Sequence, residues 1–95
     1  MVSESIPSTA RPKLSSRARL QTDKVTGNPV LLYPEGVLML NPTAHAIVSL
    51  CTGQETIEAI ASILAMRFQG SNAEISNQIN AFLNRLRAKN LLELI

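Results

Sequence analysis

The 95 residues fit one domain with a single modest core. A chain of this size buries only about 60–65% of its unfolded surface, which excludes a second domain and a deep substrate cavity. Apolar residues make up 45% and charged residues 17%, with a net charge of only +2. That is the balance of a folding sequence, and it argues against a general polyanion binder.

Trp is absent, and Tyr33, Phe68 and Phe82 are the aromatic residues, so the core is aliphatic. Cys51 stands alone, which excludes an intrachain disulfide and a Cys-x-x-Cys site and fits a reducing compartment. The first residues lack an apolar signal-peptide run, and no stretch approaches the ~20 apolar residues of a membrane span. A cytoplasmic protein with no membrane partner is expected.

In chain order, residues 1–13 read as a flexible arm ahead of a single domain over residues 14–95. Ser, Thr and Pro crowd the arm, and only Val2 and Ile6 offer anchors. Ordering such a segment requires something to pin it, and a neighbouring chain is the expected agent. Three strands follow, over residues 18–22, 30–33 and 37–40. Residues 24–29 supply a turn between the first two, and Pro34-Glu35-Gly36 supplies a hairpin, with Gly36 available for a positive φ. The second and third strands are apolar on successive residues, so both faces expect cover. One face meets the helices, and the other face or the free edge is left for a partner.

Asn41-Pro42-Thr43 opens the first helix, with Asn41 as N-cap and Pro42 at the first helical position. Ala44, Ile47, Val48 and Cys51 form its stripe, and Thr52-Gly53 ends it. The second helix is capped by Thr56, carries Ile57, Ile60, Ala61, Leu64 and Phe68 on its stripe, and stops at Gln69-Gly70. The third opens on Ser71-Asn72-Ala73-Glu74, a Ser-x-x-Glu capping pattern. It buries Ile75, Ile79, Phe82, Leu83 and Leu86, and Asn90 can end it. The apolar tail of residues 91–95 packs as a strand or a final turn. The fold class is α+β: a three-stranded antiparallel sheet followed by three helices, resembling a winged helix-turn-helix.

Catalysis is not expected. His45 is the sole histidine, no donors have metal-ligand spacing, and Cys51 on an apolar stripe is an inert small hydrophobe. No Gly-rich loop cradles phosphates, so no metal or cofactor is implied. A winged-helix DNA-binding protein is the alternative: the third helix offers Asn77, Gln78, Asn80, Asn84, Arg85 and Arg87. Against it, the chain is nearly neutral and the first two turns of that helix carry Glu74 and no cation. Specific DNA binders neutralise several phosphates. The basic residues cluster at Arg11, Lys13, Arg17, Arg19 and Lys24, and again at Arg85, Arg87 and Lys89. They read first as a solvated tail and a helix end. No nucleic-acid partner is expected.

Several segments together resemble the PqqD family. They are Arg11-Pro12-Lys13-Leu14, residues 30–36 (Val-Leu-Leu-Tyr-Pro-Glu-Gly), residues 40–44 (Leu-Asn-Pro-Thr-Ala) and residues 47–53 (Ile-Val-Ser-Leu-Cys-Thr-Gly). Residues 56–60, 82–86 and 90–92 continue the match. The chain departs from the family pattern at Thr52 and Gln78, where acidic residues are usual, and at Asn90, where Gly is common. The resemblance implies a peptide chaperone of pyrroloquinoline quinone (PQQ) biosynthesis, a leader-peptide recognition element of winged-helix type. Such a module binds the ribosomally made precursor peptide PqqA and presents it to the radical SAM enzyme PqqE. It also implies that the peptide adds as a strand beside the third strand and lies against the third helix. Transferred to this chain, the peptide-binding residues are Val37, Leu38, Met39 and Leu40 on the strand, with Ile75, Gln78, Ile79, Phe82 and Arg85 on the helix. The free strand edge and the arm point further to a homodimer at high concentration.

Overall fold

The structure, a computed structural model, describes residues 6–95. Its strands are β1 (Pro12–Leu14), β2 (Arg19–Thr22), β3 (Pro29–Tyr33), β4 (Gly36–Met39) and β5 (Leu92–Leu94). Its helices are α1 (Pro42–Ser49), α2 (Ile57–Phe68) and α3 (Asn72–Ala88), all lying between β4 and β5. The expected antiparallel sheet is β2-β3-β4, and the α+β class read from the sequence is the one found. A second, two-stranded sheet, β1-β5, joins the two ends of the chain.

The division expected at residue 13 falls inside the packed structure. Ile6 is buried and Pro12 is fully buried. The carbonyls of Ser8 and Ala10 accept the N–H groups of Glu58 and Ile57, both at 3.0 Å. Those donors belong to the first turn of α2, where a helix has no partners of its own. Residues 6–13 are therefore pinned by their own chain; no neighbouring chain is needed. Val2, the other expected anchor, lies outside the described residues.

β1 begins with a proline, which a strand accepts at its first position because no ladder donor is lost there. It is held from both sides. Pro12, Lys13 and Leu14 pair with Leu94, Glu93 and Leu92. On the opposite edge the Leu14 N–H donates to the Cys51 carbonyl at 3.0 Å, and the Gly53 N–H donates to the Pro12 carbonyl at 2.9 Å. Gly53 has φ +84°, and a Cβ there would lie 3.0 Å from Ile95 Cδ1. The positive φ is what calls for glycine where α1's exit crosses β1, since the exposed Ile95 side chain can move aside.

The helix signals translate directly. Asn41 Oδ1 accepts the Ala44 N–H at 2.7 Å, Thr56 Oγ1 that of Ala59 at 3.1 Å, and Ser71 Oγ that of Glu74 at 3.2 Å. α2 stops where Gln69 takes φ 53°, and the chain leaves α3 through Asn90 at φ 59°. Asn is among the few residues that tolerate this left-handed conformation. Two expectations shift. Gly36 has no positive φ and is the first residue of β4; the glycine with φ +76° is Gly27, in the β2–β3 turn. Phe68 remains 37% exposed because α2 ends with it, beyond the reach of the core.

The core gathers Leu31 from β3, Ile47 from α1, Ile60 and Leu64 from α2, Ile79, Leu83 and Leu86 from α3, and Leu91. Cys51 lies just past α1, buried, with its Sγ–H donating to the Ile47 carbonyl at 3.1 Å. Burial pushes its thiol up to about 12, so little thiolate forms near neutrality.

Candidate functional site

Among the described residues β4 has a ladder partner on one side only, since the sheet order is β2-β3-β4. Its register pairs Val30, Leu31, Leu32 and Tyr33 with Met39, Leu38, Val37 and Gly36. The Leu40 N–H donates to the Pro29 carbonyl at 3.2 Å. In an antiparallel pair, bonded and non-bonded residues alternate, so Leu40, Leu38 and Gly36 face β3. The backbone N–H and C=O groups of Val37 and Met39 point to the free edge.

The side chains alternate across the other axis. Leu38 packs against the core and Leu40 is buried within it, whereas Val37 (56% exposed) and Met39 (61%) stand on the outer face. Val37 and Met39 share this outer face with their cross-strand partners Leu32 and Val30, the latter buried, and with Arg19 and Gln21 of β2 beyond them.

Two depressions lie along one side of α3. The first, about 450 Å³, is lined by Asn41, Thr43, Ala44 and Ile47 from the start of α1 and by Gln78, Ala81, Phe82 and Arg85 from α3. Asn41 follows Leu40 directly, so this depression opens where β4 ends. The second, about 460 Å³, lies at the other end of β4, beneath the β3–β4 turn. It is lined by Arg17, Tyr33 and Glu35, and by Ala88, Lys89 and Asn90. There the Arg17 guanidinium meets Glu35 at 3.2 Å, and Lys89 Nζ sits 5.6 Å from the centre of the Tyr33 ring.

Of the residues expected from the sequence, Gln78, Phe82 and Arg85 come together in the first depression. Val37 and Met39 supply free backbone groups but turn their side chains away from the core. Leu40, Ile75 and Ile79 are buried in the core and line neither depression; Leu38 is only partly covered. The sequence reading did not include Asn41, Thr43, Ala44, Ile47 and Ala81, nor the cations Arg17 and Lys89. Continuing the three- and four-residue steps from Gln78 through Phe82 and Arg85 would have reached Ala81 and Lys89. Among the described residues no group of three or more His, Cys, Asp or Glu is gathered for a metal, and no helix is long and apolar enough to cross a membrane.

A family model described as Coenzyme PQQ synthesis protein D (PqqD) matches residues 29–92. The chain belongs to the PqqD family. It is 38% identical over 88 residues to a protein named PqqA binding protein from Rhodopseudomonas palustris (strain TIE-1), covering 93% of this chain and 86% of the relative. A protein of the same name from Rhizobium meliloti (strain 1021) is 32% identical over 83 residues, covering 87% and 85%. Among solved structures, it is similar to the solution NMR structure of the PqqD truncation of Methylobacterium extorquens PqqCD, described as a functional, stand-alone RiPP recognition element. The TM-score is 0.74 and the identity 35%, covering 86% of this chain and 87% of that one. The crystal structure of PqqD from Xanthomonas campestris aligns with a TM-score of 0.58 and 29% identity over 98% of both chains. The PqqD family is one of peptide recognition rather than catalysis, and the expectation of a non-enzyme holds on that ground.

Proposed function

We propose that this protein binds the precursor peptide PqqA as an added strand on the free edge of β4 and delivers it to the radical SAM enzyme PqqE in the cytoplasm. The observation that carries the reading is the unpaired edge at Val37 and Met39, with a depression at each end and α3 beside both. Backbone hydrogen bonds to that edge give affinity without demanding a sequence, and the two depressions select side chains. Relatives named PqqA binding protein support the choice of peptide. Delivery to PqqE follows from the family resemblance.

Self-association belongs to the same proposal, with its location revised. Residues 6–13 are engaged within their own chain, so we assign a homodimer contact to the outer edge of β2, which has no ladder partner among the described residues either. Light scattering across a wide concentration range should detect it at high concentration; monomer mass throughout would remove it.

The binding reading is tested by titrating the isotope-labelled protein with synthetic PqqA and following amide resonances. Shifts should concentrate at residues 37–40 and along α3 from Gln78 to Lys89. An absence of shifts, or shifts confined to α2, would overturn it.

A further inference from the structure

The side of α3 that lines the two depressions is cationic where it approaches the β3–β4 hairpin. Arg85 lines the first depression and Lys89 the second, one helical turn further on, and Arg17 closes the far rim. Among the described residues neither Arg85 nor Lys89 has a carboxylate partner; Lys89 rests over the Tyr33 ring instead. Among the described residues the one acid lining either depression is Glu35, held by Arg17 at 3.2 Å with both side chains largely exposed. An exposed pair of this kind contributes at most about 1 kcal/mol, so a competing carboxylate can displace it.

The spacing adds a second condition. Four residues of helix rise about 6 Å. Two residues of extended strand advance about 6.8 Å and return the side chain to the same face. Successive side chains that a β4-paired strand turns toward α3 therefore meet Arg85 and Lys89 in turn.

We infer that the segment bound at the β4 edge is acidic, with two carboxylates two residues apart that pair with Arg85 and Lys89. The inference rests on the strand-addition reading above and specifies its ligand. Arg17 becomes available to the same carboxylates once Glu35 is displaced, so Glu35 acts as an internal competitor. The apolar part of the first depression, Ala44, Ile47 and Phe82, then takes the next inward-facing side chain beyond the acidic pair.

The test is a carboxylate scan. Each Asp or Glu of synthetic PqqA is replaced singly by Asn or Gln, and affinity is measured by fluorescence anisotropy at low salt and again near 1 M, where the Debye length is about 3 Å. Two replacements, two residues apart, should each weaken binding about two- to fivefold at low salt, the range of exposed ion pairs. Both losses should shrink at high salt. Arg85→Glu and Lys89→Glu should weaken the parent peptide likewise, and a Lys in place of the matching peptide acid should restore binding to the Glu variant. Glu35→Gln should tighten binding.

If all amide variants bind as tightly as the parent, or the sensitive acids are spaced otherwise, the acidic rule fails. Resonance shifts at residues 37–40 would then still uphold strand addition. If the parent peptide does not bind at all, both readings fail. The peptide-side scan leaves the protein untouched, so misfolding of a variant cannot mimic its outcome.

Discussion

The two small sheets differ in how completely their strands are used. β1 is bonded on one side by β5 and on the other by the chain leaving α1, through Pro12, Lys13 and Leu14. Among the described residues β4 is bonded only by β3, and it exposes Val37 and Met39 on its outer face. Both are short antiparallel strands, one of three residues and one of four. One closes the domain by tying its ends together, while the other leaves an edge that natural proteins normally cover or use. Strand chemistry alone does not separate the closed strand from the open one. What separates them is whether the second edge has a partner among the described residues.

The strongest way to break this comparison is to open the closed sheet. Deleting residues 1–14 removes Ile6, Pro12 and the partner of β5. It should cost on the order of 4 kcal/mol, since each fully buried side chain contributes roughly 1.5–3 kcal/mol before the lost ladder is counted. Urea unfolding should show a clear drop in midpoint; an unchanged midpoint would mean that the segment is dispensable.

The closed sheet also carries a titratable marker. The Cys51 thiol is raised from 9.0 to about 12 by burial. Below pH 9 the thiol is neutral in both folded and unfolded chains, and its stabilising burial is intact. Between pH 9 and 12 the unfolded chain releases the proton and the folded one retains it, so stability falls as pH rises. The expected slope is about 1.4 kcal/mol per pH unit at most. Cys51→Ala should lower stability near neutrality and lose this alkaline slope, as read by denaturant midpoints from pH 8 to 11. An identical slope in both proteins would assign it to other groups.

At the open sheet, stability and binding should separate. Val37→Ser and Met39→Asp remove exposed side chains and should shift stability by no more than about 0.5 kcal/mol. Their effect on peptide affinity should also be modest, at most about 1 kcal/mol, because these side chains contact an added strand only as outer-face neighbours. A large affinity loss at Met39→Asp in a well-folded protein would mean that the peptide covers the outer face rather than the edge.

Local signals made most of the fold legible. Asn41, Thr56 and Ser71 each announce a helix start through a side-chain oxygen, and Asn90 announces an end through its tolerance of positive φ. The β1–β5 pairing was not legible, because it joins Pro12 to Leu94 across nearly the whole chain and neither three-residue strand shows periodicity. The tail's strand and the arm's docking are two halves of that one long-range contact. The candidate site was legible at Gln78, Phe82 and Arg85, whose helical spacing puts them on one side. It was obscured at Ile75, Ile79 and Leu40, because apolar residues on a groove-bordering element look alike whether they face a ligand or the core.

The central claim is that a peptide completes the open edge of β4. Amide hydrogen exchange, resolved by residue with and without synthetic PqqA, tests it most directly. In the protein alone, Leu38 and Leu40 should already be protected by β3, while Val37 and Met39 exchange quickly. Saturating peptide should slow Val37 and Met39 selectively and leave Leu38 and Leu40 nearly unchanged. Binding that leaves Val37 and Met39 exchanging as fast as before would contradict strand addition at this edge.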